Sequence, residues 1–389
     1  MPVSATPVRI AWLFPTLRRS FYFQPVFREM ARLFPGSAIF TGLWPGYLDG
    51  YEGTFEVRDL QGARLVDYAK GTDEGYGGVF IWVPPSAIWT LFRFRPRVII
   101  VGGFSIALVY AVLLKWLTRC RIVILWDGNA PYASFERRTL RGRIRRVLGW
   151  FLDAGVSNTV DGARYLHEAI GIPAGQCSTS IYQVPDVPAL TTRTPDTASM
   201  ASATRPLFLF VGRLVPSKGL HHLLQASAFL VAEGLDGFSL AVVGSGPEEA
   251  SLRALADTLG VADRVQWLGE RPYGEMGGFF EACDVFVMPS LLELRGMVVS
   301  EAMCFGKPVI VTRNADLAEI VHHGENGFTY DPHNPRELAD LMARFIREPE
   351  LRVRCGERSA AIIAPHTATA AAAHIARVIH EACGTEAVA

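Results

Sequence analysis

Short apolar runs rich in Val, Ile, Leu and Phe alternate with stretches of helical periodicity along most of the chain. Runs of that kind read as strands covered on both faces, and strands alternating with helices read as βαβ units around a parallel sheet. In the first half the predicted strands are 8–14 (VRIAWLF), 36–42, 97–103, 121–127 (RIVILWD) and 154–159, with helices over 24–33 and 105–117. The second half restarts the pattern: strands 206–212 (PLFLFVG) and 238–244 (FSLAVVG), and helices over 219–234 and 247–260. The latter helix has Pro at its start and Gly at its end, as helix boundaries prefer. Strands at VQWLG, VFVMPS and PVIVT and helices at GEMGGFFEAC, MVVSEAMCF, 335–346 and 367–383 complete the series.

Between the halves, VPALTTRTPDTASMASATRP is rich in Pro, Thr, Ser and Ala and has no apolar period, the composition of a linker. The predicted organisation is an α/β chain of two Rossmann-like doubly wound domains facing across a cleft. The N-terminal domain spans 1–186, the linker 187–206 and the C-terminal domain 207–364. A last helix, within 365–389, packs back towards the N-terminal domain. Ligands in such sheets lie beyond the carboxyl ends of the strands, so the strand-to-helix loops are where chemistry is expected.

The run VIIVGGFSIALVYAVLL, 98–114, has about the minimum length of a membrane span. It is broken by Gly102-Gly103 and followed by another β-rich run, and reads instead as strand, glycine turn and buried helix.

The 389 residues are 50% apolar, enough for two cores, and the formal net charge of zero argues against a general nucleic-acid binder. The balance hides a split. Residues 1–190 hold 21 Lys and Arg against 14 Asp and Glu, and the remainder holds 17 against 24. The first half is therefore expected to meet something anionic. The six cysteines show no Cys-x-x-Cys spacing and read as buried residues of a reducing cytosol. The N-terminus lacks the charged start and long apolar core of a signal peptide.

Three loops draw attention. In FVGRLVPSKGL, Arg213 follows a strand end at Gly212, and Lys218 stands just before a helix. A helix N-terminus with two cations suits a diphosphate, while two solvated cations on a surface loop is the plain alternative. In VVGSGPEEA, the pair Gly244 and Gly246 lacks the third glycine of a dinucleotide fingerprint. A tight turn beside a nucleotide suits it better. In PSLLELRGMVVSEAMCFGKPVIV, Glu293 follows a strand end, Gly296 opens a helix and Glu301 lies about one turn into it. Both carboxylates can face one small volume beside the free amides of the helix start, an arrangement suited to a polyol.

In order along the chain, GRLVPSKG, VVGSGPEEASL, VQWLGE, CDVFVMPSLLELRGMVVSEAMCFGKPVIVT and AEIVHHGENGFTYDPHNPRELADLM resemble the family-4 glycosyltransferases of the GT-B fold, over 206–357. The resemblance implies a GT-B architecture and transfer of a sugar, with retention, from a nucleotide-diphosphate sugar. By position it implies that Arg213 and Lys218 bind the donor diphosphate. Glu293 would contact the donor sugar with the backbone at Gly296, Met297 and Val298, and Glu301 would hold the ribose. Glu270 and Arg271 would border the nucleobase. No Asp-x-Asp occurs in the chain, so neither a metal nor another cofactor is expected. The N-terminal domain would take a glycan or lipid-linked acceptor, in polysaccharide or glycolipid biosynthesis.

The chain departs from the family in three places. Arg295 stands where an aromatic residue usually precedes the motif glycine. FPTLRRSFYFQPVF replaces a Gly-Gly loop. No histidine occurs before His167, and VILWDGN puts Asp127 at the family histidine's place. Asp127 either faces the reacting sugars as a catalytic group with Glu293 or caps the following turn. A nucleotide-sugar 2-epimerase on the same architecture is the alternative activity. It requires further acid/base carboxylates and histidines in the cleft, and a chain with no histidine before His167 disfavours it.

FERRTLRGRIRRVLGWFLD, 135–153, carries arginines from Arg137 to Arg146 with Leu, Ile, Val, Trp and Phe near helical spacing. It is either a basic amphipathic helix for an anionic membrane surface, helped by LFRFRPR at 91–97, or a helix packed on the sheet with solvated arginines. The first reading places a cytoplasmic protein peripherally on the inner face of the cell membrane.

Overall fold

The computed structural model of the chain describes residues 8–17, 21–67, 79–127, 139–293 and 295–384. It divides into two compact units. The first holds the described residues up to Val184 and the segment from His366 onward, and the second runs from Pro185 to Pro365.

The strands of the first unit are β1 (Ile10–Leu13), β2 (Ala38–Thr41), β3 (Glu56–Asp59), β4 (Arg64–Asp67), β5 (Val79–Trp82), β6 (Val98–Gly102), β7 (Arg121–Trp126), β8 (Ala154–Ser157) and β9 (Cys177–Thr179). β4 and β5 pair as an antiparallel ribbon. The other seven form a parallel sheet in the order β3-β2-β1-β6-β7-β8-β9. β1 and β8 are buried throughout, and β6 and β7 are exposed only at their ends, as strands covered on both faces must be. The strand readings at 8–14, 36–42, 97–103, 121–127 and 154–159 all fall on strands. β3 went unread because its residues, EVRD, are mostly polar and none is buried, as an edge strand allows.

The 98–114 run divides into β6, a glycine turn and the helix Ile106–Thr118. Among the described residues no helix is long and apolar enough to cross a membrane. That helix, with Ser86–Phe94 and Leu140–Gly149, covers one face of the sheet; Leu91, Leu108 and Leu114 pack with Ile99, Ile122 and Ile124. The helix Ala368–Cys383 packs on Gln24–Leu33 within the same unit.

Within the basic helix Leu140–Gly149, the Thr139 side chain caps the start by accepting from the Gly142 amide at 3.1 Å. Arg137 and Arg138 lie outside the described residues. Arg145 does not face outward with its neighbours. It is 8% exposed, its guanidinium lies 5.3 Å from the ring centres of both Phe104 and Trp126, and it donates to the Tyr165 hydroxyl at 3.1 Å. The aromatic faces stabilise a cation held among apolar groups, so the arginines of this run do not form one solvated set.

The second unit holds β10 (Leu207–Val211), β11 (Ser239–Val243), β12 (Val265–Gly269), β13 (Val285–Met288), β14 (Val309–Thr312) and β15 (Gly327–Tyr330). They form a parallel sheet ordered β12-β11-β10-β13-β14-β15. The chain runs outward from β10 to β11 and β12, then crosses to β13 on the other side. Strand order thus reverses between β10 and β13, the switch point where an open α/β sheet leaves room for a ligand. The segment read as a linker, 187–206, lies against this unit: the Arg193 amide donates to the Gly274 carbonyl at 3.0 Å, and Met200 is fully buried.

Candidate active site

The loops after β10 and β13, which flank the switch point, are bonded to each other. Pro216–Lys218 forms a 3-10 turn, and the Ser217 carbonyl accepts from the amides of Leu291 at 2.9 Å and Leu292 at 3.3 Å. Gly219 ends the turn at φ +66° and lies so close to the second loop that a Cβ there would stand 2.0 Å from the Pro289 oxygen. Only glycine accommodates both the conformation and the approach.

This lacing carries Lys218 to Glu293. The ammonium donates to Glu293 Oε2, and the Ser290 hydroxyl donates to the same oxygen at 3.3 Å. Both side chains are mostly buried, at 20% and 10% exposure. Arg213 differs: its guanidinium is exposed and has no hydrogen bond or ion pair among the described residues. Glu293 begins the approach to the helix Met297–Cys304, whose N-cap Gly296 has φ +78°. The amides of Met297 and Val298 open that helix outside its own ladder. Glu301 is buried at 3% exposure on the same helix. Beside it, the Cys304 thiol is pushed up to about 12, by burial first and by the Glu301 charge second.

The Gly244 and Gly246 pair has a structural role. A Cβ on Gly244 would lie 1.9 Å from the Gly212 oxygen, and one on Gly246 would lie 2.3 Å from the Leu214 oxygen. The Leu214 amide donates to the Ser245 carbonyl at 2.8 Å. These glycines let the loop after β11 lie against the loop that carries Arg213, which removes the ground for a nicotinamide reading. In the next loop outward, Glu270 accepts from the Ser245 hydroxyl at 2.9 Å. The Arg271 guanidinium donates to the Leu268 carbonyl at 2.9 Å and sits 5.8 Å from the Phe279 ring centre.

In the first unit Asp127 stands at the carboxyl end of β7. Its carboxylate accepts from Asn158 Nδ2 at 2.6 Å, from Gln183 Nε2 at 2.9 Å and from the hydroxyl of the buried Tyr182. It therefore ties the loops after β7, β8 and β9 together, over 31 to 56 residues of sequence. Along the same edge, Gly42, Leu43, Trp44, Tyr47, Val57 and Asp59 line a cavity of about 570 Å³ beyond β2 and β3. Ser290, Ser217, Asn158 and Tyr182 were not singled out in the sequence. Their roles depend on partners distant in the chain, and no local pattern marks them.

Residues 196–362 match the family model described as "Glycosyl transferases group 1". A D-inositol 3-phosphate glycosyltransferase of Thermobifida fusca is 36% identical over 291 residues, covering 71% of this chain and 62% of that protein. The protein of the same name from Corynebacterium glutamicum is 33% identical over 182 residues, covering 46% and 44%. The chain thus spans less than two thirds of the length of either relative. Among solved structures, Anabaena HepE in complex with UDP aligns with a TM-score of 0.73 at 19% identity, over 96% of this chain and 100% of that one. The lipopolysaccharide outer core galactosyltransferase WaaB aligns with a TM-score of 0.69 at 15% identity, over 96% and 99%. The isomerase alternative finds no support in these matches. The chain has the GT-B fold, and its second unit belongs to the group 1 glycosyl transferases.

Proposed function

We propose that the protein is a glycosyltransferase that moves a sugar, with retention, from a nucleotide-diphosphate sugar to a glycan or lipid-linked acceptor in polysaccharide or glycolipid assembly. The observation that carries this reading is the bonding of the loops after β10 and β13 at the switch point. It sets an exposed guanidinium, a half-shared ammonium, a buried carboxylate and a helix N-terminus at one edge. HepE, which shares the fold, is solved with UDP and with UDP-glucose.

A diphosphate entering here meets Arg213 and competes with Glu293 for Lys218. Charge develops on the diphosphate as it leaves, and the two cations with the helix dipole stabilise it without a resident metal. The carboxylate released from Lys218 accepts hydrogen bonds from sugar hydroxyls beside the amides of Gly296, Met297 and Val298. Glu301 holds the ribose hydroxyls, and Glu270 borders the base. Arg271, committed to Leu268 and Phe279, shapes that border through its backbone. Asp127 serves the reacting sugars from the first unit.

The cavity beside Trp44, Tyr47 and Asp59 suits a sugar of the acceptor: aromatic faces cover its C–H surface, and a carboxylate accepts from its hydroxyls. The first unit also holds the protein peripherally at an anionic membrane surface on the cytoplasmic side.

Thermal shift with UDP, GDP and NAD, followed by donor hydrolysis across a panel of nucleotide sugars, tests the reading. Stabilisation by one nucleoside diphosphate and hydrolysis of its sugar is the expected result. Stabilisation by NAD alone, or hydrolysis of no donor, would overturn it.

A further inference from the structure

The three helices over one face of the first sheet turn a shared apolar surface outward. Ser86–Phe94 exposes Trp89 at 57%, Ile106–Thr118 exposes Trp116 at 75%, and Trp150 at the end of Leu140–Gly149 is exposed at 72%. Leu113, Leu117 and Ile144 stand exposed among them. The surface is continuous: the first two helices pack on each other, and Trp116 meets Phe151, beside Trp150, with ring centres 6.4 Å apart. None of these residues is left over from the core. Ala87, Leu91, Leu108, Ala111 and Leu114, on the opposite sides of the helices, already fill it.

The charge carried by the three helices themselves has one sign. The three helices contain no acidic residue. Arg93, Arg141, Arg143 and Arg146 are exposed on them, and the Arg93 guanidinium lies 5.2 Å from the ring centre of Trp89. Three tryptophans exposed on or at the end of three helices of one face call for a partner, since large exposed apolar patches mark a docking surface. Tryptophan, with an apolar ring and an N–H donor, settles at the level of lipid headgroups. Arginine interleaved with it pairs with anionic headgroups. A second copy of the chain would bring arginines against arginines across a twofold contact.

We infer that this three-helix face, and not the basic helix alone, docks the first unit on an anionic bilayer, with Trp89, Trp116 and Trp150 inserted at headgroup depth. The inference deepens the membrane part of the proposed function. It gives the helix Ile106–Thr118, into which the span-like stretch of the sequence runs, an interfacial role through Leu113, Trp116 and Leu117.

The test is co-sedimentation of the full chain with phosphatidylcholine vesicles, with and without phosphatidylglycerol, at low and high salt. Binding that requires phosphatidylglycerol and weakens with salt is expected. Trp116→Ser with Trp150→Ser is expected to lower the vesicle affinity about tenfold, and Arg143→Glu with Arg146→Glu to abolish binding. Absence of binding, or binding indifferent to both pairs, overturns the inference. So does a concentration-dependent dimer, seen by light scattering, that the tryptophan substitutions dissolve. Nucleotide binding is measured on the same variants. If it persists while vesicle binding fails in the unmodified chain, the docking face alone is rejected. If it is absent while vesicle binding holds, the transferase reading alone is rejected.

Discussion

The α-carbon of Gly219 lies against the carbonyl of Pro289, so closely that a Cβ would stand 2.0 Å from that oxygen. This contact joins the loop of Lys218 to the loop of Glu293. Gly219→Ala should destabilise the protein by about 2–5 kcal/mol, from left-handed strain plus forced displacement of the second loop. Gly260, at φ +67° with nothing within 4 Å of the place a Cβ would take, is the matched control. Gly260→Ala should cost only about 1 kcal/mol. Denaturant unfolding of both variants checks the difference, and equal losses would mean that the loop contact adds nothing.

Lys218 and Glu293 form an ion pair between two mostly buried side chains. Lys218→Met removes the cation beside a mostly buried carboxylate, costs about 1–3 kcal/mol of stability and weakens nucleoside diphosphate binding by about tenfold or more. Glu293→Gln leaves the ammonium free for phosphate. It should change nucleotide affinity by less than about threefold while lowering sugar transfer about a hundredfold. Calorimetric titration with the diphosphate, set beside turnover, separates the two effects. A parallel loss of binding and turnover in Glu293→Gln would contradict the assigned division of labour.

Asp127 accepts from Asn158, Tyr182 and Gln183. Asp127→Ala leaves those donors without their acceptor and should lower stability by about 1–3 kcal/mol. If the carboxylate also serves the reacting sugars, turnover with a soluble acceptor falls about tenfold or more at a temperature where the variant is fully folded. Unchanged turnover would leave it only the structural role.

His221 and His222 open the helix Leu220–Ala232, and the His222 Nδ1–H donates to the Pro332 carbonyl at 2.6 Å. Burial holds both rings below their ordinary titration range. Neighbouring histidines lower them further, against the Pro332 bond, which raises His222. The folded chain therefore takes up protons later than the unfolded chain. Stability from these groups is complete above about pH 6.5 and is lost as the pH falls through the depressed folded values. The melting temperature should decline between pH 7 and pH 5, and His222→Gln should flatten the decline. A decline of the same slope in that variant would assign it to other groups.

Arg145 lies beside both Phe104 and Trp126, whereas Arg143 on the same helix is exposed. Arg145→Ala should destabilise by about 1–3 kcal/mol; Arg143→Ala should stay within about 0.5 kcal/mol. Thermal melts of the two single variants decide the point.

Most of the architecture was legible along the chain. Alternating apolar runs and helical periods located the central strands of both sheets, because buried parallel strands have no polar face to blur them. β3 was missed because an edge strand keeps polar residues, and β15 because four residues after a turn carry little periodicity. The 187–206 segment shows no apolar period, yet it packs along the second unit, since single anchors such as Met200 leave no pattern.

The sequence by itself determined the residue types at the carboxyl edge of the second sheet, since each lies in a loop after a strand end or at the helix that follows: Arg213 after β10, Glu293 after β13, Gly296 and Glu301 at the start and within the first turns of a helix. Tertiary structure alone decided how they are joined. The Lys218–Glu293 pair spans 75 residues. It depends on β10 and β13 being neighbours in the sheet, on Ser217 accepting two amides and on Gly219 allowing the approach. Likewise the sequence showed that the first half was basic, but not that Arg145 turns inward while three tryptophans at three helices face outward together. Side-chain type and local period are carried by neighbours in the chain, whereas pairing and burial are set by which elements the fold brings into contact.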